Sequence, residues 1–176
     1  MKKQLLPALL VLVAIFLVAC NKEDATNNGT DTKDIKEKVH AYSVGTFDED
    51  INASITSHEL IVKQNGEVKE TFELPKDEFF VSIAPFETQT HECAIHSLTG
   101  CQGELVEKEF DVYIEDEKGE VVIDEKMASL ENGFIDLWLP RDQNYTVKIS
   151  HNGKSVESEL STFEGDYTCI TTMQLL

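Results

Sequence analysis

Two Asn-Gly pairs, at residues 65–66 and 152–153, interrupt runs in which apolar and polar residues alternate. Such a pair accepts the positive φ angles of a two-residue hairpin turn, and alternation with a period of two is typical of a half-buried strand. The pairs therefore predict two antiparallel hairpins, one from strands at 58–64 and 67–74, the other from strands at 145–150 and 155–162.

The rest of the chain adds strand signals of similar length. A dense apolar run at 78–86 predicts a strand that is buried on both faces and stops at Pro85. A third hairpin is predicted from strands at 110–115 and 120–126, and further strands at 133–139 and 167–176. This succession of short strands between turn signals favours a mainly β fold, an antiparallel β-sandwich. The stretch from Phe110 onward, with EDEKGEVV, NGFIDLWLP and YTVKISHNGK, also resembles the transthyretin-like sandwich.

The first twenty residues have the layout of a secretory signal. Lys2 and Lys3 precede an apolar run at 5–18, which is too short for a comfortable membrane span. The run ends in LVAC, which resembles the lipobox of bacterial lipoproteins. The resemblance implies removal of residues 1–19, a diacylglycerol thioether on Cys20 and anchoring to the extracytoplasmic face of the cell membrane through acyl chains such as palmitate. The alternatives are an uncut N-terminal anchor and a secreted protein with a chance cysteine.

The segment after Cys20 is polar, with no aromatic residue over 21–38 and Ile35 as its one large aliphatic side chain. So little apolar surface predicts a lipidated flexible tether over 20–39, followed by one β domain over 40–176. A short helix near residues 32–42 is the alternative for the end of the tether, because Ile35 and Val39 are four residues apart.

The net charge argues against nucleic acid and anionic membrane surfaces as partners. The chain carries a formal charge of −18, and removal of the signal segment makes it more negative. Such a surface repels nucleic acid and anionic membrane surfaces. The acids are scattered through every strand and turn, so we interpret them as a solvated face.

The residues with the clearest chemistry lie between 90 and 104. His91, Cys93, His96 and Cys101 fall within eleven residues of a chain with five histidines, and the Thr, Ser and Gly content around them indicates a loop. Thiolate and imidazole donors select zinc or copper over magnesium or calcium.

The remaining cysteine lies far along the chain, in the last predicted strand. Alternation puts Tyr167, Cys169, Thr171, Met173 and Leu175 on one face. If that face meets the loop, three sulfurs come together, a donor set that suits Cu(I). Zinc would take a fourth ligand, from His96 or His91. Met173 is not among the predicted ligands.

Two other interpretations remain open. Cys93 and Cys101 could form a structural disulfide that closes a small loop, which leaves Cys169 unpaired in an oxidising compartment. The protein would then be a structural lipoprotein with one disulfide and no metal. The cysteines could instead serve a thiol redox protein that reduces Cu(II) or a partner disulfide.

Motifs of catalysis are not found. Seven residues separate the two loop cysteines, not the two of a thioredoxin-type motif, and the spacing of His91 and His96 does not fit H-E-x-x-H. The chain also contains no phosphate-binding loop and no G-x-S-x-G elbow. We therefore predict a binding protein and not an enzyme, with at most a weak, non-catalytic cupric reductase activity.

One family has the same cysteine blocks. FVSIAPFETQTHECAIHSLTGCQGEL, together with YTCITTMQL at the end, resembles the CueP family of extracytoplasmic copper-binding proteins. The resemblance covers the chain from about His58 to its end. It implies Cu(I) binding by Cys93, Cys101 and Cys169, with His91 and His96 as the family's histidines.

The same resemblance implies a role in copper resistance, sequestration or delivery to exported proteins. Copper donor or acceptor proteins outside the cytoplasm are then the expected partners. The region ahead of His58 is shorter than in the family, where it contributes to dimerisation, so the sequence leaves open whether the protein is a monomer or a homodimer.

Overall fold

The computed structural model describes residues 32–176, so the predicted signal peptide and Cys20 lie outside the described residues. Over this range the chain forms one helix and eleven strands. In chain order they are α1 (Thr32–Val44), β1 (Ile51–Ile55), β2 (Glu59–Gln64), β3 (Glu67–Glu73), β4 (Glu78–Ile83), β5 (His96–Ser97), β6 (Glu109–Asp116), β7 (Val121–Ala128), β8 (Ile135–Pro140), β9 (Asn144–His151), β10 (Lys154–Ser161) and β11 (Cys169–Ile170).

The folded part begins earlier than the sequence predicts. Residues 32–39, assigned above to the tether, belong to α1, so the predicted boundary at His40 is wrong and the alternative of a helix is right. Ile35 and Val39 are each 1% exposed and pack against β1 and β2. The helix is stabilised by packing this one apolar face against the sheet. The polar composition of the segment, on which the tether prediction rested, does not show that face.

The predicted hairpins are confirmed. β2 pairs with β3, β6 with β7 and β9 with β10, all antiparallel. Both Asn-Gly turns have positive φ at both residues, 52° and 80° at 65–66 and 51° and 81° at 152–153. That conformation matches the right-handed twist of the strands it joins, and glycine adopts it without strain.

The strands form three sheets, ordered β3-β2-β1-β5, β10-β9-β6-β7 and β11-β4-β8. The fold is mainly β with antiparallel pairing, as predicted, apart from β11, which runs parallel to β4. In the last predicted strand only Cys169 and Ile170 pair in this way, with an isolated bridge from Phe86 to Gln174. Tyr167, predicted to share one face of that strand with Cys169, is 63% exposed.

The short sheet that contains β4 lies at the centre of the molecule. Phe79, Val81 and Ile83 face the core formed with β6, β9 and β10, whereas Phe80 faces the cluster with α1, β1 and β2. The prediction of a strand buried on both faces is thus confirmed. Because β11 pairs with this central strand, Cys169 is held at the edge of the central sheet.

The half-buried carboxylate of Asp136 ties the helix to the central sheet. Ser43 of α1 and Ser82 of β4 both donate hydrogen bonds to Asp136 of β8, at 2.6 and 2.5 Å. Burial raises the pKa of Asp136, and the two hydroxyl donors act in the opposite direction. The network fixes α1 against the strand pair that supports Cys169.

Candidate metal centre

The predicted metal-binding residues of the loop lie between β4 and β6, and β5 anchors that loop to the first sheet. His96 pairs with Ile55 and Ser97 with Ser54. Thr168 joins three segments at this point, since its hydroxyl accepts from the His96 amide at 3.0 Å and donates to the Ile55 carbonyl at 2.6 Å. Its own amide donates to the Ala94 carbonyl. Hydrogen bonds therefore join the loop to Thr168, the residue that precedes Cys169.

Glu104 closes the base of the same loop. Its carboxylate accepts hydrogen bonds from the amides of Glu87 and Thr88, at 2.6 and 3.0 Å, and from the Thr88 hydroxyl. These donors, the Thr88 hydroxyl foremost, lower the pKa of Glu104 to about 2, so the carboxylate is ionised throughout the neutral range. Both ends of the loop are thus joined below the cysteines.

A close backbone contact follows at Gly103. A Cβ placed there would lie 2.6 Å from the Gly133 carbonyl oxygen, and Gly133 itself has φ +80°. The Gly103 amide donates to the Asn132 carbonyl at 2.7 Å. Only glycine fits at both positions without displacing backbone, and this contact holds the chain after Cys101 beside Phe134.

Cys169 forms the floor of the site. It is 1% exposed, sits opposite Ser82 in the pairing of β11 with β4, and packs with Ala84 and Phe134. Cys93 and Cys101 pack against the same small cluster from the loop side. The predicted meeting of the last strand with the loop therefore occurs.

Within residues 32–176, four predicted ligands come together. One ligand atom each from His91, Cys93, Cys101 and Cys169 lies within 4.8 Å of the others. His91 is exposed, Cys93 and Cys101 are half-buried and Cys169 is buried. The donors thus run from solvent to the interior, three of them soft sulfurs and one an imidazole.

The disulfide differs from the predicted one. Cys93 is bonded to Cys169, with their Cα atoms 5.6 Å apart, and Cys101 is the free cysteine of the described chain. The Cys93 and Cys101 sulfurs are 3.6 Å apart, in contact but not bonded. The predicted Cys93–Cys101 pairing followed their nearness in sequence, whereas the fold brings Cys169 to the same sulfur through the β11–β4 pairing.

His96 lies behind the cluster and not among its four members. Its side chain is 0% exposed, with Nδ1 3.4 Å from the Cys169 sulfur and its ring centroid 4.5 Å from that of Phe134. Among the described residues its Nε2 has no hydrogen-bond partner. The ligand role of His96 remains a prediction, while its contact with Cys169 makes it a support for that sulfur. Met173, not chosen as a ligand, is buried in the core of the sandwich.

The protonation of His96 leads to a testable pH dependence. Burial, assisted by His91, lowers the pKa of His96 to about 4 from an ordinary value of 6.5. At a pH between 4 and 6.5, His96 is protonated in the unfolded chain but neutral in the folded chain. The free energy of unfolding therefore rises with pH over this window. We expect His96 to contribute roughly 3 kcal/mol of folding stability above pH 6.5, lost progressively as the pH falls toward 4.

Urea unfolding of the metal-free protein at pH 7, 5.5 and 4.5 measures this effect, with His96→Leu as the comparison. The carboxylates titrate in both proteins, so the difference between the two pH profiles isolates the histidine. An identical pH dependence in the wild type and in His96→Leu contradicts the assignment.

A groove gives access to the site from solvent. It has a volume of about 820 Å³, and its walls include His91, Cys93, Tyr167 and Cys169. Burial raises the pKa of the Cys101 thiol, and a hydrogen bond with the Ser97 backbone acts in the opposite direction. The site is therefore open on the His91 side and enclosed on the side of Cys169 and His96.

Sequence reasoning did not identify three residues that shape the site. Thr168 joins the loop to β1 through its hydroxyl, and Phe134 packs against Cys169. Glu104 closes the base of the loop. Glu104 and Thr168 are close in sequence to cysteines that the prediction did identify, but their partners lie far along the chain. Phe134 is a buried aromatic whose neighbours only the fold reveals.

Comparison with known proteins gives concordant results. A family model described as "Periplasmic copper-binding protein CueP" matches residues 35–174. The crystal structure of a protein named S.CueP has a TM-score of 0.76 and 38% sequence identity to this chain, over 81% of this chain and 88% of that chain. No curated protein matches the chain. Among the residues described, no helix has the length and apolar character needed to span a membrane.

Proposed function

The chain belongs to the CueP family of periplasmic copper-binding proteins, and we propose that it binds Cu(I) with Cys93, Cys101 and Cys169 as thiolates. The observation that carries the proposal is the convergence of these three sulfurs and His91 within 4.8 Å. The family model and the structural neighbour confirm the family predicted from the two cysteine blocks, which is described as copper-binding.

The donor set favours copper in its reduced state. Cu(I) is a soft ion that accepts three thiolates, whereas zinc in structural sites takes four ligands in tetrahedral geometry. The cluster offers three sulfurs and one imidazole, and the imidazole is on the exposed residue His91. Zinc is the weaker alternative because it depends on His91 for its fourth bond.

The three cysteines are held by different parts of the fold. Cys169 is fixed in the wall of the central sheet, and Cys93 and Cys101 approach it from one loop whose base Glu104 closes. His96 has its Nδ1 3.4 Å from the Cys169 sulfur and can donate a hydrogen bond to the thiolate. A neutral imidazole suits this role, and the lowered pKa of His96 keeps it neutral.

Copper capture releases thiol protons. Burial raises the pKa of Cys101, so at neutral pH this residue carries a proton that the metal must displace. Affinity therefore decreases as the pH falls. The step consumes no substrate and forms no covalent product, which is why we assign binding and not catalysis to the site.

We assign the protein to copper sequestration or delivery outside the cytoplasm, anchored to the membrane by acyl chains on Cys20. The groove beside His91 and Cys93 supports delivery, because a donor or acceptor protein can reach the ion from that side. Transfer then proceeds by ligand exchange, in which a sulfur of the partner replaces Cys93 before the bond from the ion to Cys169 breaks.

Anaerobic competition with a chromogenic Cu(I) chelator tests the function. The reduced full chain carrying Cys20→Ala retains only the three described cysteines, and one tight equivalent of Cu(I) is the expected result. Failure to compete, or equal binding by Cys169→Ser, overturns the proposal in favour of a structural lipoprotein or a zinc site.

Oxidation should close the site. The disulfide between Cys93 and Cys169 removes two of the three thiolates, which leaves Cys101 and His91 as donors. We expect the oxidised protein to bind Cu(I) at least about tenfold more weakly than the reduced protein, a difference of roughly 1.4 kcal/mol or more. Parallel titrations with and without prior treatment with a phosphine reductant measure the ratio, and equal affinities contradict the idea.

A thiol redox function is the second candidate, favoured by the free Cys101 thiol beside a disulfide. Reduction of two Cu(II) to two Cu(I) would convert two thiols to one disulfide and release two protons. Turnover with an external reductant distinguishes this activity, because a binding protein delivers at most two electrons from one thiol pair and then stops.

A further inference from the structure

Cys93 is in contact with both of the other sulfurs of the cluster. It is bonded to Cys169, and its sulfur lies 3.6 Å from the free Cys101 sulfur. A thiolate exchanges with a disulfide by attacking one of its sulfurs, and reacting atoms begin such a step at roughly 3–3.5 Å. The free cysteine is therefore already in contact with the disulfide sulfur it can attack.

We propose that the disulfide of this protein migrates between two positions, with Cys93 as the shared sulfur. The Cys101 thiolate attacks the Cys93 sulfur, a Cys93–Cys101 bond forms, the Cys93–Cys169 bond breaks and Cys169 leaves as a thiolate. No electron enters or leaves the protein, since one disulfide and one thiolate are present before and after. The reverse step, with Cys169 as the attacking group, restores the first isomer.

The surroundings of each sulfur support exchange in both directions. Cys93 and Cys101 lie on the same loop, eight residues apart, and pack on the small cluster around Phe134. The leaving Cys169 sulfur is 3.4 Å from Nδ1 of His96, a hydrogen-bond donor for the developing thiolate. The Cys101 and Cys169 sulfurs also lie within 4.8 Å of each other, so the three sulfurs form a triangle, and the Cys93 side chain must rotate to bring the attacking and leaving sulfurs into line.

Migration changes which thiol the oxidised protein exposes. In the isomer of the structure the free thiol is the half-buried Cys101, and in the other isomer it is Cys169, which is 1% exposed. Cys93 takes part in both bonds and is half-buried, so an outside thiol reaches either disulfide through Cys93. The second isomer keeps its free thiol away from oxidants, which protects it from sulfinic and sulfonic acid formation.

The proposal concerns metal-free protein and does not rest on copper binding, so each can fail without the other. Tryptic peptides distinguish the isomers, because Cys93 and Cys101 share the peptide 77–108 while Cys169 lies in 155–176. The full chain with Cys20→Ala, oxidised and purified in mild detergent, is held at pH 8. It is then acid-quenched, unfolded with N-ethylmaleimide to block its free thiol, and digested.

Mass spectrometry should find two products. The major one links 77–108 to 155–176, and the minor one is a bond within 77–108, at roughly 1–10% of the protein. Iodoacetamide added to the folded protein should alkylate Cys101 whenever it is free. Over time both isomers should therefore convert to one species, which is alkylated at Cys101 and carries the Cys93–Cys169 disulfide. A single isomer at all times overturns the proposal. So does a Cys93–Cys101 isomer whose amount does not fall as iodoacetamide alkylates Cys101.

Two variants keep the test decisive. Oxidised Cys101→Ser should contain only the bond between the two peptides, and oxidised Cys169→Ser only the bond within 77–108. Circular dichroism verifies that both variants are folded. A folded Cys169→Ser protein that cannot form the Cys93–Cys101 bond contradicts the exchange, since the loop would then not bring these sulfurs together.

Discussion

Replacing Cys93 by serine is expected to lower the Cu(I) affinity of the reduced protein by at least about a hundredfold, or roughly 2.8 kcal/mol. The hydroxyl is a hard donor that stays protonated at neutral pH, so the site retains two thiolates in place of three. Cys93 is the sulfur bonded to Cys169 in the oxidised protein and in contact with Cys101, so its loss opens the middle of the cluster. Chelator competition under anaerobic conditions, in the Cys20→Ala chain, gives the affinity ratio.

Two histidine variants serve as matched controls for this experiment. His91→Ala removes the exposed imidazole beside the three sulfurs and should weaken binding by less than about tenfold, since the three thiolates hold the soft ion without it. His58→Ala removes an imidazole that is 63% exposed and not in the cluster, and should leave the affinity unchanged. A Cys93→Ser protein that binds as tightly as the His58→Ala protein contradicts the assignment of Cys93 as a ligand.

Replacing Phe134 by alanine is expected to destabilise the protein by about 3–5 kcal/mol and also to weaken copper binding. The ring is 0% exposed, packs with Cys169 and Ala84, and lies 4.5 Å from the His96 ring, centroid to centroid. Its removal leaves a cavity beneath the sulfurs, so the cluster loses the surface that positions it. Urea unfolding measures the stability, and Cu(I) titration at low temperature measures binding while the protein is folded.

Phe110→Ala is the matched control for this effect. Phe110 is also 0% exposed, but it packs in the core of the sandwich and not in the small cluster with Cys169. We expect a similar loss of stability with the copper affinity unchanged, against a loss of about tenfold in Phe134→Ala, as for residues that orient metal ligands. Equal copper affinities in the two folded variants contradict a positioning role for Phe134.

Local chemistry explains which parts of the fold could be predicted. The Asn-Gly turns set their own backbone angles and fix the register of the strands beside them, so the hairpins followed from the sequence. The buried strand β4 was also predictable, because a run of apolar residues on both faces needs cover on both sides. Helix α1 was weakly signalled, since Ile35 and Val39 gain stability only from packing against β1 and β2.

The candidate site was predictable in composition but not in its bonds. Cysteines and histidines so close in sequence indicated soft-metal chemistry, and alternation placed Cys169 on one face of the last strand, which could meet the loop. The pairing of Cys93 with Cys169 depends on the parallel contact of β11 with β4, which no local signal encodes. The position of His96 behind Cys169 likewise results from the pairing of β5 with β1 and from the hydroxyl of Thr168.

Copper K-edge X-ray absorption of the reduced protein, loaded with one equivalent of Cu(I), tests the central claim most directly, because it counts the atoms bound to the ion. We predict a near-edge spectrum of three-coordinate Cu(I) and an inner shell of three sulfurs, reduced to two sulfurs in Cys93→Ser. An inner shell of nitrogen or oxygen atoms, or a sulfur count that Cys93→Ser leaves unchanged, would contradict the three-cysteine site.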